Sequence, residues 1–201
     1  MVPELLQTAS YFENSATLPF PFQVPVSADT SYYAIVLSDP GAFPAGASEG
    51  WTQVGGNLTY GNQGLQIYAN LTRANASLGF ASASGPVSVF LLEVLDGGEP
   101  TGLIGQAPNS EPYLFTPKLA VPAEALAVAI MSADDPSDCP GAPGWTFVFN
   151  SVTSAQNAML AVRTLSRAAE VSCCKVSPGG QSQNGLAAIF YIPTAAAPHH
   201  A

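Results

Sequence analysis

The chain has 201 residues, 47% of them hydrophobic and 9% charged, with a net charge of −9 from 14 acidic and 5 basic side chains. So large a hydrophobic share builds a core and excludes a disordered chain, which needs low hydrophobicity and high charge. The five bases, Arg73, Lys118, Arg163, Arg167 and Lys175, are too few and too scattered to neutralise phosphates or hold an anionic membrane, so no nucleic-acid and no membrane partner is expected.

Charged residues usually make up about 25% of a globular chain. Solubility here must rest on Ser, Thr, Asn, Gln and backbone turns. So bare a surface suits contact with other protein, because interface cores are depleted in charge. The 18 glycines and 18 prolines are spread along the chain and punctuate short apolar runs, the pattern of many short strands. No run approaches the roughly 20 apolar residues that a spanning helix needs.

In chain order, residues 1–12 lack the basic and long apolar regions of a signal peptide, and none is expected. They read as an N-terminal arm extending from the fold, although Pro3 can also open a single helical turn. Strands are predicted near 17–26, 31–38, 51–56, 64–72, 77–82, 86–95, 113–121, 125–132, 145–150, 157–166, 169–176 and 185–193. Within the first, Leu18-Pro19-Phe20-Pro21-Phe22 is no central strand, because alternate prolines remove backbone donors. It reads as an edge or a strap whose rings cover either their own domain or a neighbouring subunit. Leu65, Ile67, Ala69 and Leu71 alternate with Gln66, Tyr68, Asn70 and Thr72, and Leu126, Val128 and Ile130 with Ala125, Ala127 and Ala129. Period two with one mostly apolar face predicts half-buried antiparallel strands. Residues 97–112 read as a loop, and 194–201 (TAAAPHHA) as a C-terminal tail.

An internal repeat organises these strands. SYYAIVLSDPG, EGWTQVG, GLQIYANLT and VSVFLLEV in the first half answer to EALAVAIMSADDP, PGWTFVF, AMLAVRTLS and LAAIFYIP in the second. Trp51 and Trp145 lie 94 residues apart (145 − 51), and Tyr68 and Val162 each follow their tryptophan by 17 residues. Tyr33 precedes Trp51 by 18 residues and Val128 precedes Trp145 by 17. The pattern predicts an all-β protein: one antiparallel β-sandwich over residues 13–193, jelly-roll-like, made of two similar Greek-key halves at about 31–95 and 125–193. Neither half covers its own apolar face, so the two fold around one core. Glycine before each tryptophan lets the chain turn at an unusual backbone angle, and each indole is expected to cap the end of that core.

The pieces at 125–131, 143–148, 158–166 and 186–193, with a weaker copy at 33–38, 50–54, 65–72 and 87–94, resemble a β-sandwich family found in phage structural genes. Its members are minor structural, tail-associated or capsid-decorating proteins, and related repeats occur in bacterial surface proteins. The resemblance covers residues 31–193 and implies a particle component that starts directly at Met1. It brings no catalytic set with it.

Reactive motifs are sparse. Gly46-Ala47-Ser48-Glu49-Gly50 matches G-x-S-x-G, but lies in a Pro/Gly loop that runs into the Trp51 strand, not on a strand-turn-helix elbow. His199 and His200 are on the tail, where no packing fixes a general base or a chelate. Asp134, Asp135 and Asp138 cluster without the glycine of an EF-hand loop and read as an exposed acidic loop; ion binding there stays open. Cys139, Cys173 and Cys174 form no disulfide framework; Cys173 and Cys174 should point to opposite faces, and one bond from Cys139 to either stays open. Asn57, Asn70 and Asn75 stand in N-x-S/T sequons. No catalytic, cofactor-binding or metal-binding residue is assigned, no cofactor is expected, and the chain is expected not to be an enzyme.

The expected role is therefore structural: a capsid decoration or cement protein of a virion assembled in the host cytoplasm. Its expected partners are a major capsid protein or other virion proteins, with a symmetric homo-oligomer expected. The alternatives are a tail or baseplate component, and a carbohydrate-binding adhesive module that uses exposed rings such as Tyr60, Tyr68 or Tyr113.

Overall fold

Runs of β-branched, aromatic and aliphatic residues cut short by Gly and Pro favour strands over helices. The computed structural model follows this rule; it describes residues 2–13, 19–24, 26–27, 29–61, 63–73, 75–82, 85–106, 113–132, 143–150, 158–176 and 185–196, and none of these is helical. The first half holds β1 (Glu4–Glu13), β2 (Thr30–Ser38), β3 (Ala45–Ala47), β4 (Thr52–Tyr60), β5 (Gln63–Asn70), β6 (Phe80–Ser82) and β7 (Val87–Leu95). The second holds β8 (Thr101–Gln106), β9 (Tyr113–Phe115), β10 (Leu119–Val121), β11 (Ala125–Ser132), β12 (Thr146–Asn150), β13 (Ala158–Leu165), β14 (Ala169–Val171), β15 (Cys174–Val176) and β16 (Leu186–Pro193).

Two five-stranded antiparallel sheets result, ordered β1-β7-β2-β5-β4 and β12-β13-β11-β16-β8. They pack face to face as a β-sandwich. Tyr33, Ile35, Ile67, Phe90 and Leu92 of the first sheet meet Leu126, Val128, Leu160, Phe190 and Ile192 of the second in one buried interior. Each half supplies one whole sheet, and the orders coincide when β8, β11, β12, β13 and β16 are matched to β1, β2, β4, β5 and β7. A lone sheet would leave its inner row in water. The shared core is therefore obligatory, at about 25 cal/mol for each Å² of apolar surface removed from solvent.

The Greek-key detail differs from expectation. The last four main strands of each half run fourth-first-third-second across the sheet, whereas a Greek key runs fourth-first-second-third. The first long strand of each half joins the third through the β4–β5 or β12–β13 hairpin, so the two halves do not interleave as a jelly roll of two Greek keys would.

Two segments expected to lie outside the sheets are edge strands. Residues 4–13, expected as an arm, pair along β7 from Glu4↔Leu95 to Glu13↔Val87, with a bulge between Leu5 and Gln7. Residues 101–106, expected as loop, pair with β16. Both cover the backbone edge of the last strand of their half, whose N–H and C=O groups would otherwise lack partners. Their composition conceals this, since edge strands need only one buried side; Leu5 packs on the interior and Ala9 on the opposite face.

The central strands are not half-buried. Every residue of β2, β5 and β11 is buried, because each sheet carries a second apolar layer on its outer face. In the first half that layer contains Phe20, Phe22, Trp51, Leu78 and Phe80 over Tyr32, Val36, Tyr68, Val89 and Leu91. In the second it contains Val121, Trp145, Val171 and Cys173 over Ala127, Ala129, Met131, Met159 and Ile189. The tryptophans belong to these outer layers and do not cap the end of the interior. Each indole nitrogen donates to a backbone carbonyl, Trp51 to Asn75 and Trp145 to Ser172, both at 3.0 Å. The glycines before them do turn with positive φ, +87° at Gly50 and +80° at Gly144, a region that costs other L-residues roughly 1–2 kcal/mol.

In place of the strand predicted near 17–26, the described part is the strap that its alternating prolines suggest, and it covers its own domain. It crosses the first outer layer, bridges to Leu78 through Phe20, and buries Phe20 and Phe22 there. The register also corrects the repeat. Thr52 pairs with Ala69 and Thr146 with Val162, so Val162 answers to Ala69, and Tyr68 answers to Ala161. One residue of slip reverses the face: Tyr68 points outward while Val162 points into the interior.

Candidate functional site

The serine of the G-x-S-x-G motif is a strut. Ser48 follows β3, its hydroxyl donates to the Ser77 carbonyl at 3.0 Å and accepts from the Gly79 amide at 3.1 Å. The oxygen is thereby held on the backbone of the segment 77–79. His199 and His200, the acidic group Asp134, Asp135 and Asp138, and Cys139 lie outside the described residues. Among the described residues no three His, Cys, Asp or Glu side chains gather as metal ligands, and no helix is long and apolar enough to cross a membrane. Cys173 and Cys174 both pack on the second outer layer and do not split between faces, because Cys173 precedes β15 and is not part of it.

The one buried carboxylate of β7 is also structural. Glu93 is 1% exposed. Its Oε1 accepts from the Ser27 amide at 2.6 Å and the Thr30 hydroxyl at 2.7 Å, and its Oε2 from the Gln7 side chain at 2.5 Å. Three donors compensate its removal from water and tie edge strand β1 and the approach to β2 onto β7.

The rings expected as a ligand platform are mostly inside. Tyr60 packs towards the interior and donates to the Gly105 carbonyl at 2.7 Å. Tyr68 is 3% exposed, and burial pushes its hydroxyl up to about 12. Tyr33 is shifted upward more strongly, burial outweighing its bond with Ser31 and the charge of Arg73. The side chain of Tyr113 lies outside the described residues. Of the sequon asparagines, Asn70 is fully buried, donating to Asn75 and accepting from Thr72 and Arg73, whereas Asn57 and Asn75 are exposed.

One concavity does join aromatic and polar groups. Between the segment 43–47 and strands β4 and β5, on the outer face of the first sheet, a cleft of about 470 Å³ is lined by Phe43, Trp51, Gln53, Asn57, Gln66 and Tyr68 among others. Its shape comes from a bulge in β4: Val54 pairs with Ile67 but the next pair is Leu58 with Leu65, and Gly55 takes φ +70° to turn the chain out. A bulge re-aims the side chains it carries. Here it brings the Asn57 Oδ1 to within 2.7 Å of the Gln53 amide nitrogen and 3.1 Å of the Gln66 amide nitrogen. Gln66 is 3% exposed, and its Oε1 is buried without a hydrogen-bond partner. Sequence reading passed over this trio because the bulge, not the spacing, assembles it.

No family model, curated protein or solved structure matches this chain.

Proposed function

We propose that the chain is a non-enzymatic structural protein that works through its surface, as a decoration or cement protein on a bacteriophage particle. The observation that carries this reading is how the reactive groups are used: Ser48, Glu93, Tyr60 and Asn70 are each committed to hydrogen bonds that hold the fold together. The surface supports it too. With 9% charged residues, little charge has to be stripped of water when another protein covers it. The ion pairs Arg73–Asp29 at 3.6 Å and Lys118–Glu170 at 3.3 Å are exposed and contribute at most about 1 kcal/mol.

Binding a capsid lattice would stabilise only the assembled state, by mass action. The partners on this reading are major capsid protein subunits, with the chain itself acting as a homo-oligomer. The test is direct. Particles produced from the genome that encodes the chain are purified and analysed by mass spectrometry and cryo-electron microscopy. Stoichiometric copies on the shell are expected; density on the tail would move the protein to the baseplate, and complete absence from particles removes the reading.

A further inference from the structure

We infer that the cleft at Trp51 is a binding site for an uncharged saccharide. This stands independently of the particle reading. None of the residues that line the cleft is charged, so an ionic ligand would find no counter-charge there. What the walls offer is the pairing that a sugar ring needs. Half-buried Phe43 presents apolar surface to C–H groups, and the edges of the largely buried Trp51 and Tyr68 line the cleft beside it, while the Gln53, Asn57 and Gln66 amides offer donors and acceptors.

The amides are left incompletely used. Asn57 Oδ1 accepts from both glutamines, which leaves the Asn57 amide nitrogen and the Gln53 oxygen without partners among the described residues. Gln66 Oε1 is a buried acceptor with no donor, a defect that destabilises the unliganded fold. A hydroxyl both donates and accepts. A sugar hydroxyl seated against this trio donates the missing hydrogen bond to the Gln66 oxygen and accepts one from the Asn57 amide.

In the second half apolar residues stand at the same places. By the register of Thr52↔Ala69 and Thr146↔Val162, Gln53 answers to Phe147 and Gln66 to Met159. Both of those pack into the second outer layer. The fold itself is satisfied by apolar residues at these positions, so the amides and the open cleft serve something other than folding.

The test uses the full chain, labelled with ¹⁵N, titrated with methyl glucoside, methyl galactoside, methyl mannoside and N-acetylglucosamine. At least one is expected to give saturable shifts in the backbone amides of 43–47 and 53–57 and in the Asn57 side-chain amide. Gln66→Met, which copies the second half, is expected to leave the melting temperature unchanged or raise it while weakening that binding by about tenfold or more, the loss of one satisfied polar contact. Asn57→Leu, at an exposed position, is expected to weaken it similarly. The inference is overturned if none of the four sugars gives saturable shifts, if the shifts survive in both variants, or if glucuronate binds more tightly than methyl glucoside. A proline-rich peptide that shifts the same amides where no sugar does would overturn it as well.

Discussion

The two halves of this protein share a strand order but not a material. In the first, the outer layer is aromatic and polar: Tyr32 and Tyr68 lie under Phe20, Phe22, Phe80 and Trp51, with Gln66 and Glu93 set among them. In the second, the outer face of β11 is Ala125, Ala127, Ala129 and Met131, and its cover is Val121, Val171, Trp145 and Cys173. Aligned by register, Glu93 answers to Tyr191 and Gln66 to Met159, since Leu92 pairs with Tyr33 and Phe190 with Val128. The comparison separates what the architecture requires from what it merely tolerates. Large inward side chains recur in both halves and make the sandwich. At two matched pairs, Gln66 against Met159 and Glu93 against Tyr191, the first half sets an amide or a carboxylate on the outer face, and these build a buried carboxylate tie and line an open cleft.

The interior is where this comparison is easiest to break. Leu92→Ala and Phe190→Ala occupy equivalent places in the two sheets, both fully buried. Removing either side chain is expected to cost about 2–5 kcal/mol, and to lower one common unfolding transition in urea. Two separated transitions would show that the halves do not share a core.

Glu93→Ala probes the asymmetry next. It strands the Gln7, Ser27 and Thr30 donors and is expected to destabilise the chain by about 3 kcal/mol. Hydrogen exchange should rise first along β1. Tyr191→Ala, the matched change, should leave β8 exchange closer to normal.

The paired glycines sharpen the local part of the repeat. Gly50→Ala and Gly144→Ala both force a side chain into positive φ, at about 1–3 kcal/mol each. Gly50→Ala should cost more. Its new Cβ meets the buried Asn70 amide at 3.1–3.2 Å, whereas at Gly144 it meets the flexible Arg163 guanidinium at 3.3 Å. Thermal melts of the two variants measure the difference.

The smallest effect is alkaline. Tyr33 and Tyr68 stay neutral in the fold above their ordinary value of 10.0. The folded chain then keeps protons that the unfolded chain releases. Stability should be level below pH 10 and decline as pH rises through about 12. Tyr68→Phe should flatten part of that decline, read from urea midpoints across the range.

Much of this was legible in the residues. Short apolar runs between Gly and Pro marked the strands, the repeated Gly-Trp marked the two halves, and the rule that a one-sided sheet must be covered required a single interior. The glycine before tryptophan was read for its backbone angle, and Gly50 and Gly144 carry it. Other features were hidden for identifiable reasons. β1 and β8 are edge strands with weak alternation. The second outer layer comes partly from segments such as 119–121, too short to announce a partner, whereas the alternating prolines of 19–22 did mark a strap. The motif around Ser48 matches a nucleophile signature, yet its hydroxyl bonds the Ser77 carbonyl 29 residues further along the chain.

Composition and periodicity by themselves determined that this chain is all-β, that it is made of two like halves, and that those halves close over a common interior, because hydrophobic patterning acts locally and is written residue by residue. The tertiary structure alone decided the strand order, the doubly covered sheets and the amide cleft. These depend on register and on one bulge, where a shift of a single residue exchanges an inward side chain for an outward one.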